Sequence, residues 1–392
     1  MSTQNPTDTT ETKRKEEILA EFPDPHTTSK QYTGDQRCHD DFWDIKRAFG
    51  IPKMEWDATY TEEEAEGKAY AEAGERKLRK KLLPNIIFHD WDPDDHQLSV
   101  GGTDWLAVGP PGSGKSNLAL WLAVRLMEAN NEKVIWRAST SRSEWLPFAP
   151  WARVCLPKGV DIEARFVPKD PTQEGFEVDL EEIVREVVRY RDPVHLNHDL
   201  LKPGQFHVVY PDPKMRRLQE IYENDQEKQY DGLEFSEDDP LNHWWFGWMH
   251  ARIAEGPHHW SSIMFDEIGD IAPEAARNDE YAHYQKVELL KDCWVDARKY
   301  GHSIFAFGHS EADIHSMIRR KIRWRVTMNG TANPTNSGDV VGFRRVPMED
   351  DIMSSRDVGM FMPFSESEFQ YPPVKAAHIP SPIDMTLKVS YA

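Results

Sequence analysis

Residues 109–116 read Gly109-Pro110-Pro111-Gly112-Ser113-Gly114-Lys115-Ser116, a complete G-x-x-x-x-G-K-[ST] pattern. No other stretch limits the fold so strongly, because the pattern works only as a loop between a strand and a helix. Both neighbours fit. The apolar run Asp104–Val108 precedes it, and Ser116–Ala129 follows as a helix apolar almost all round, hence buried on several sides. Glycines let such a loop curl so that successive backbone N–H groups face an anion, and the helix N-terminus adds its positive end. Residues 109–117, with Asn117 last, are therefore the candidate phosphate cradle.

The surrounding pattern extends that strand–loop–helix unit into a layered domain. Short apolar runs bounded by turn residues recur at Lys133–Arg137, Phe206–Tyr210, Ser262–Phe265, His302–Phe307 and Ile322–Met328, with helical patterns between most of them. Asp179 and Glu182 read as a capping box opening a helix whose apolar face is Ile183, Val184, Val187 and Val188. Pro211-Asp212-Pro213 opens another helix, and Pro273–Tyr300 reads as a long one. Alternating strands and helices predict an α/β fold with a mostly parallel sheet covered on both faces. Residues 1–35 read as a disordered arm, 36–83 as a charged helical region, 84–346 as the main domain with an insertion at about 139–205, and 347–392 as an extended tail that packs on something.

Three chemical features join the loop. Lys115 reaches β- and γ-phosphates and the Ser116 hydroxyl suits Mg²⁺, so ATP and Mg²⁺ are the expected cofactors. The run Ser262–Phe265 ends in Asp266 and Glu267. An acid at the end of a central parallel strand lies where ligands bind, so Asp266 is the second metal residue and Glu267 the group that polarises water. The strand HSIFAFGHS places His309 at its tip, either as a γ-phosphate sensor, with Ser310 second, or as an ordinary turn histidine. Arg298, in Asp296–Gly301, either satisfies a helix end or reaches a neighbouring subunit's nucleotide.

Composition narrows the partners. Asp plus Glu number 67 against 47 Lys plus Arg, a formal net charge of −20, which excludes a generally basic nucleic-acid coat and suits a salt-loving host. Duplex DNA contact is then confined to a local patch, the densest being Arg319, Arg320, Lys321, Arg323 and Arg325. Read as part of a strand, Arg323 and Arg325 share a basic face with Lys321. Cys38, Cys155 and Cys293 show no paired spacing, and His243, His250, His258 and His259 read as structural. The Trp-rich run 243–248 reads as core or subunit interface rather than a base-stacking platform. No apolar run approaches a membrane span, and the polar N-terminus does not read as a secretory signal.

In order, GPPGSGKS, IMFDE, the long helix into DARKYGHSIFAFGHS, and ADIHSMIRRKIRWRVTMNG resemble the HerA–FtsK superfamily of DNA-pumping ATPases, which includes viral genome-packaging ATPases and Zot-like proteins. The resemblance covers about residues 83–345. It implies a RecA-like fold, a homo-oligomeric ring of six, and Arg298 as the finger, with Arg277, Arg319 and Arg320 as competitors. His309 stands where that family usually has Gln. The implied function is an ATP-driven motor translocating double-stranded DNA, in viral packaging or DNA transfer, with capsid or membrane-associated partners and a cytoplasmic or virion location. The alternatives are a Zot-like assembly or secretion factor and a nucleotide-binding structural ring component.

Overall fold

The computed structural model describes residues 15–22, 41–52, 82–87, 102–334, 342, 352–366, 369–370 and 372–391. Its strands are β1 (Asp104–Val108), β2 (Lys133–Arg137), β3 (Ala152–Pro157), β4 (Ile162–Pro168), β5 (Phe176–Glu177), β6 (Glu186–Tyr190), β7 (Phe206–Val209), β8 (Ser261–Phe265), β9 (His302–Gly308), β10 (Trp324–Met328), β11 (Met360–Phe364), β12 (Val374–Lys375) and β13 (Met385–Tyr391). Four helices matter below: α1 (Asp41–Ala48), α2 (Lys115–Asn130), α3 (Trp244–Ala254) and α4 (His283–Ala297).

Ten strands form one sheet in the order β12-β11-β10-β1-β9-β8-β2-β7-β3-β6. Pairing is parallel from β10 to β6. At the other edge the β10–β11 and β11–β12 pairings are antiparallel, so β11 alone runs against the other nine strands. The fold is RecA-like α/β, with β9 inserted between the strand before the glycine loop and the strand that ends in the acids.

Strand alternation divides the core into two layers. Trp105, Ala107, Met264, Phe305 and Phe307 point into the layer with α2, whereas Leu106, Ile263, Phe265, Ile304 and Ala306 point into the layer with α3 and α4. Trp244, Trp245 and Trp248 of α3 are fully buried in that second layer, so the Trp-rich run is core. Burial on both faces is what a parallel sheet with crossover helices requires.

Several expectations need correction. The Asp179–Glu182 capping box forms, with the Glu181 N–H donating to Asp179 Oδ1 at 3.0 Å, but it caps only the 3₁₀ turn Leu180–Glu182. The expected helix with Ile183, Val184, Val187 and Val188 on one face does not form: Ile183 and Val184 lie in the following turn, and Val187 and Val188 belong to β6, which pairs with β3. Val187 packs with one core layer and Val188 with the other, the period-2 arrangement that β-branched residues favour. The long helix begins at His283 rather than Pro273. Asp279 Oδ1 accepts from the N–H groups of Tyr281 and His283, and Ala282 takes a left-handed φ of 51°, which breaks helical continuity. Residues 15–22, expected within a disordered arm, pack on the first layer through Ile18, Leu19 and Phe22, the last against Phe166 at 6.4 Å.

Both extensions pack on the chain itself. Helix α1 is tied to the 139–205 region by Asp41, whose two carboxylate oxygens accept from Arg185 at 2.5 and 2.7 Å. Beyond residue 352 the chain adds β11 to β10, crosses α2, and ends as β13 paired along the whole of β4. Cys38 lies outside the described residues.

Candidate active site

The glycine loop turns out of β1 exactly where the sheet ends; Gly112 and Gly114 take φ of 79° and 93°, a region open to glycine and strained for other residues. That curl aims the first turn of α2, whose leading N–H groups have no partner within the helix, at the space above the strands. Lys115 is buried, and its Nζ donates to Gly109 O at 2.7 Å and Pro110 O at 3.2 Å. The lysine is thus folded back onto its own loop.

The acids stand opposite, one strand beyond β9. Asp266 is buried at the tip of β8, and Glu267 follows in a left-handed conformation with φ of 54°. That is unusual for a residue with a side chain, and such strain concentrates at functional sites. Arg137, closing β2, donates to the Asp266 carbonyl at 2.8 Å and to Asn242 Oδ1 at 3.0 Å. Arg142 pairs with Asp270 at 3.1 Å. Glu144, on the same loop, lies close enough to the Asp266 side chain for the two carboxyls to influence each other's charge.

His309, at the end of β9, joins the two sides. Lys115 Nζ lies 3.3 Å from its Nδ1, and its Nε2 lies 3.1 Å from Glu267 Oε1. An ammonium only donates, so Nδ1 accepts and Nε2–H donates to the carboxylate. One imidazole therefore spans the gap between the loop lysine and the glutamate, the place a terminal phosphate would need.

Burial governs the charges. The Asp266 carboxyl is pushed up to about 7 by desolvation and then by Glu144 and Glu267, against the pull of Arg142 and Arg137. The Lys115 ammonium is lowered by burial, with Glu267 and Asp266 opposing. A carboxyl raised from 3.8 to about 7 disfavours the folded chain increasingly as pH climbs through that interval, and the cost is complete above 7. Without metal, Asp266→Asn should therefore raise the Tm at pH 8, by on the order of 1–3 kcal/mol in stability, and leave it unchanged near pH 4. Thermal melts at the two pH values check this, and a lower Tm at pH 8 would contradict it.

The remaining sequence candidates are placed differently. Asn117 turns its side chain away from the loop: Nδ2 donates to Ala377 O at 2.8 Å and Oδ1 accepts from Ile379 N–H at 2.6 Å. Arg298 is exposed at the start of β9, with its carbonyl accepting from Gly102 N–H. Seven strand residues at roughly 3.3 Å each put it about 20 Å from His309's end of the sheet. Ser310 caps the short turn after β9 by accepting from Ala312 N–H at 3.2 Å.

The basic face expected over 319–325 forms only in part. Arg325 is 2% exposed and pairs with Glu311 at 3.2 Å, Arg319 is 5% exposed and pairs with Glu274 at 3.2 Å, and Arg323 holds Asp104 at 2.8 Å. The strand begins at Trp324, and both of its faces are covered. Within that run, Arg320, Lys321 and Arg323 are exposed, Arg323 while engaged by Asp104. Glu144, Arg142 and Asn242 were not marked by the sequence. Arg137 carried a signal: a cation ending an apolar strand on the same side as the acids.

No family model matches the chain, and no curated protein does. Among solved structures it is similar to the genome packaging NTPase of Sulfolobus turreted icosahedral virus 2, at 8% identity and a TM-score of 0.36, covering 70% of this chain and 98% of that one. It is similar to the N-terminal domain of zonular occludens toxin from Neisseria meningitidis, at 14% identity and a TM-score of 0.26, covering 67% and 82%. A third likeness is to EssC (ATPases 2 and 3) from Geobacillus thermodenitrificans, at 12% identity and a TM-score of 0.34, covering 71% and 40%. No helix among the described residues is long and apolar enough to cross a membrane.

Proposed function

We propose that the chain hydrolyses ATP with Mg²⁺ and works as a ring-forming motor of the HerA–FtsK kind on double-stranded DNA. The observation that carries the hydrolytic part is the line Lys115–His309–Glu267, which sets a phosphate-binding cation and a water-polarising acid on either side of one imidazole. When nucleotide enters, Lys115 exchanges the Gly109 and Pro110 carbonyls for phosphate oxygens, and the loop N–H groups take the rest of the charge. Glu267 orients and deprotonates the attacking water. His309, touching both, registers whether the terminal phosphate is present.

The donor set fits the metal. Ser116 and Asp266 offer hard oxygen atoms, and Mg²⁺ characteristically takes one or two protein oxygens together with phosphates and water. When bound there, the ion neutralises charge on the phosphates. The elevated Asp266 carboxyl is consistent with a group whose burial suits it to a cation.

DNA contact rests on fewer residues than the sequence suggested, since Arg319 and Arg325 are buried in internal ion pairs and Arg323 is engaged. That observation favours, as a second reading, an ATPase that drives assembly or secretion. A duplex of any sequence should accelerate ATP turnover, because phosphates carry no sequence information, and the effect should fade with added salt. Replacing the exposed Lys321 with Ala should reduce that stimulation severalfold and leave basal turnover intact. Unchanged turnover in an assembled ring saturated with duplex would select the assembly reading. Arg325→Ala is unsuitable for this purpose, since stripping Glu311 of its buried partner costs about 3–5 kcal/mol.

A further inference from the structure

The C-terminal segment does more than extend the sheet, because it is seated on the glycine loop itself. Gly359 N–H donates to Ser113 O at 3.3 Å, and a Cβ placed on Gly114 would lie 3.2 Å from Gly359 N and 3.6 Å from Val358 Cγ1. Ala376 N–H donates to Gly359 O at 3.0 Å, and the next turn of chain is gripped by both side-chain atoms of Asn117. Two separate pieces of the tail thus meet at one end of the loop.

Sheet order says which end. From β1 the acids lie two strands away in one direction, through β9 to β8, and the tail lies two strands away in the other, through β10 to β11. A nucleotide whose terminal phosphate sits between Lys115 and Glu267 must lead its nucleoside away from β8. That path runs along the loop toward Asn117 and the tail. There the chain presents Val358, an apolar side chain 62% exposed and one of only four large hydrophobics so exposed among the described residues.

Resting on the nucleotide reading above, we infer that the tail forms the base-binding subsite of the loop, with Val358 as the apolar wall on which the purine ring packs. Its backbone bonds to Ser113 and Asn117 hold that wall in register with the phosphate cradle. An exposed valine here is then the free state of a surface that the base covers. The same geometry explains why Asn117 uses its side chain on the tail rather than on phosphate.

Calorimetric titration of the full chain with Mg²⁺–ATP and with Mg²⁺–tripolyphosphate separates base from phosphate. Val358→Asp should weaken ATP on the order of tenfold, from lost apolar burial, and leave tripolyphosphate within about twofold. Val358→Leu should retain ATP affinity. The residue is exposed, so both variants should melt like the parent, and the melt is run alongside. ATP affinity unchanged in Val358→Asp, or tripolyphosphate falling in parallel with ATP, would overturn the subsite. A parent chain that binds neither ligand would overturn the nucleotide reading itself, and the subsite with it.

Discussion

Glu267→Gln should bind ATP and fail to turn it over, with the rate falling by about 10²–10⁴, the usual worth of a general base. The amide keeps an oxygen that accepts from His309 Nε2–H, so the imidazole and Lys115 stay in place. Asp266 remains for the metal. The variant should accumulate unhydrolysed ATP, read as retained nucleotide after a spin column and as absent phosphate release. Lys115→Ala provides the contrast: on the function proposed above its charge holds the β- and γ-phosphates, so binding itself should be lost. Parental turnover in Glu267→Gln would remove Glu267 from the chemistry and turn attention to Glu144, the other carboxylate beside Asp266.

A second large effect is expected at Arg298. It is exposed and about 20 Å from the loop along β9, too far to serve its own site. In a ring it could serve a neighbour's, and a finger supplied across an interface is worth ~10³–10⁵ in rate. Arg298→Ala should bind ATP like the parent and hydrolyse it poorly. Mixed with Lys115→Ala subunits, it should regain activity, because some interfaces then pair an intact loop with an intact arginine. Mixed rings without any rescue would assign Arg298 to the helix end alone.

The site was legible where chemistry and backbone conformation are set by neighbouring residues. The loop, Asp266, Glu267 and His309 each sit at the end of a run whose period and turn residues mark a strand tip. Contacts between distant segments were not legible. Glu144 reaches Asp266 only because β2 and β8 are neighbours in the sheet, and nothing local announces that pairing. Arg325 is the instructive failure. Alternation set it on one face of a strand, but alternation gives a solvent face only where one side of a sheet is bare. In β10 both sides are covered, so the second face needed Glu311 rather than water. The Ile183–Val188 stretch failed for the opposite reason: its capping box was real, but β-branched residues and a waiting partner in β3 outweighed it.

The tail also sets the timetable by which this molecule can be completed. Strand β13 pairs with β4 between residues such as Met385 and Pro168, and Val389 N–H reaches back to Thr140 O. Until Met385–Tyr391 has left the ribosome, β4 and β5 are a two-stranded ribbon, an element marginal in water by itself. For a shorter time, until Met360–Phe364 follows, β10 is an open sheet edge, a template for pairing with the wrong chain. Such long-range pairing is slow to form, since the intervening loop must close before any contact repays it. A nascent chain stalled after residue 346 would carry every residue of the phosphate cradle and both acids, yet offer a bare edge and no cover over Asn117. Protein quality control would see that truncated product as sticky and unfinished, although every residue of the candidate site was present.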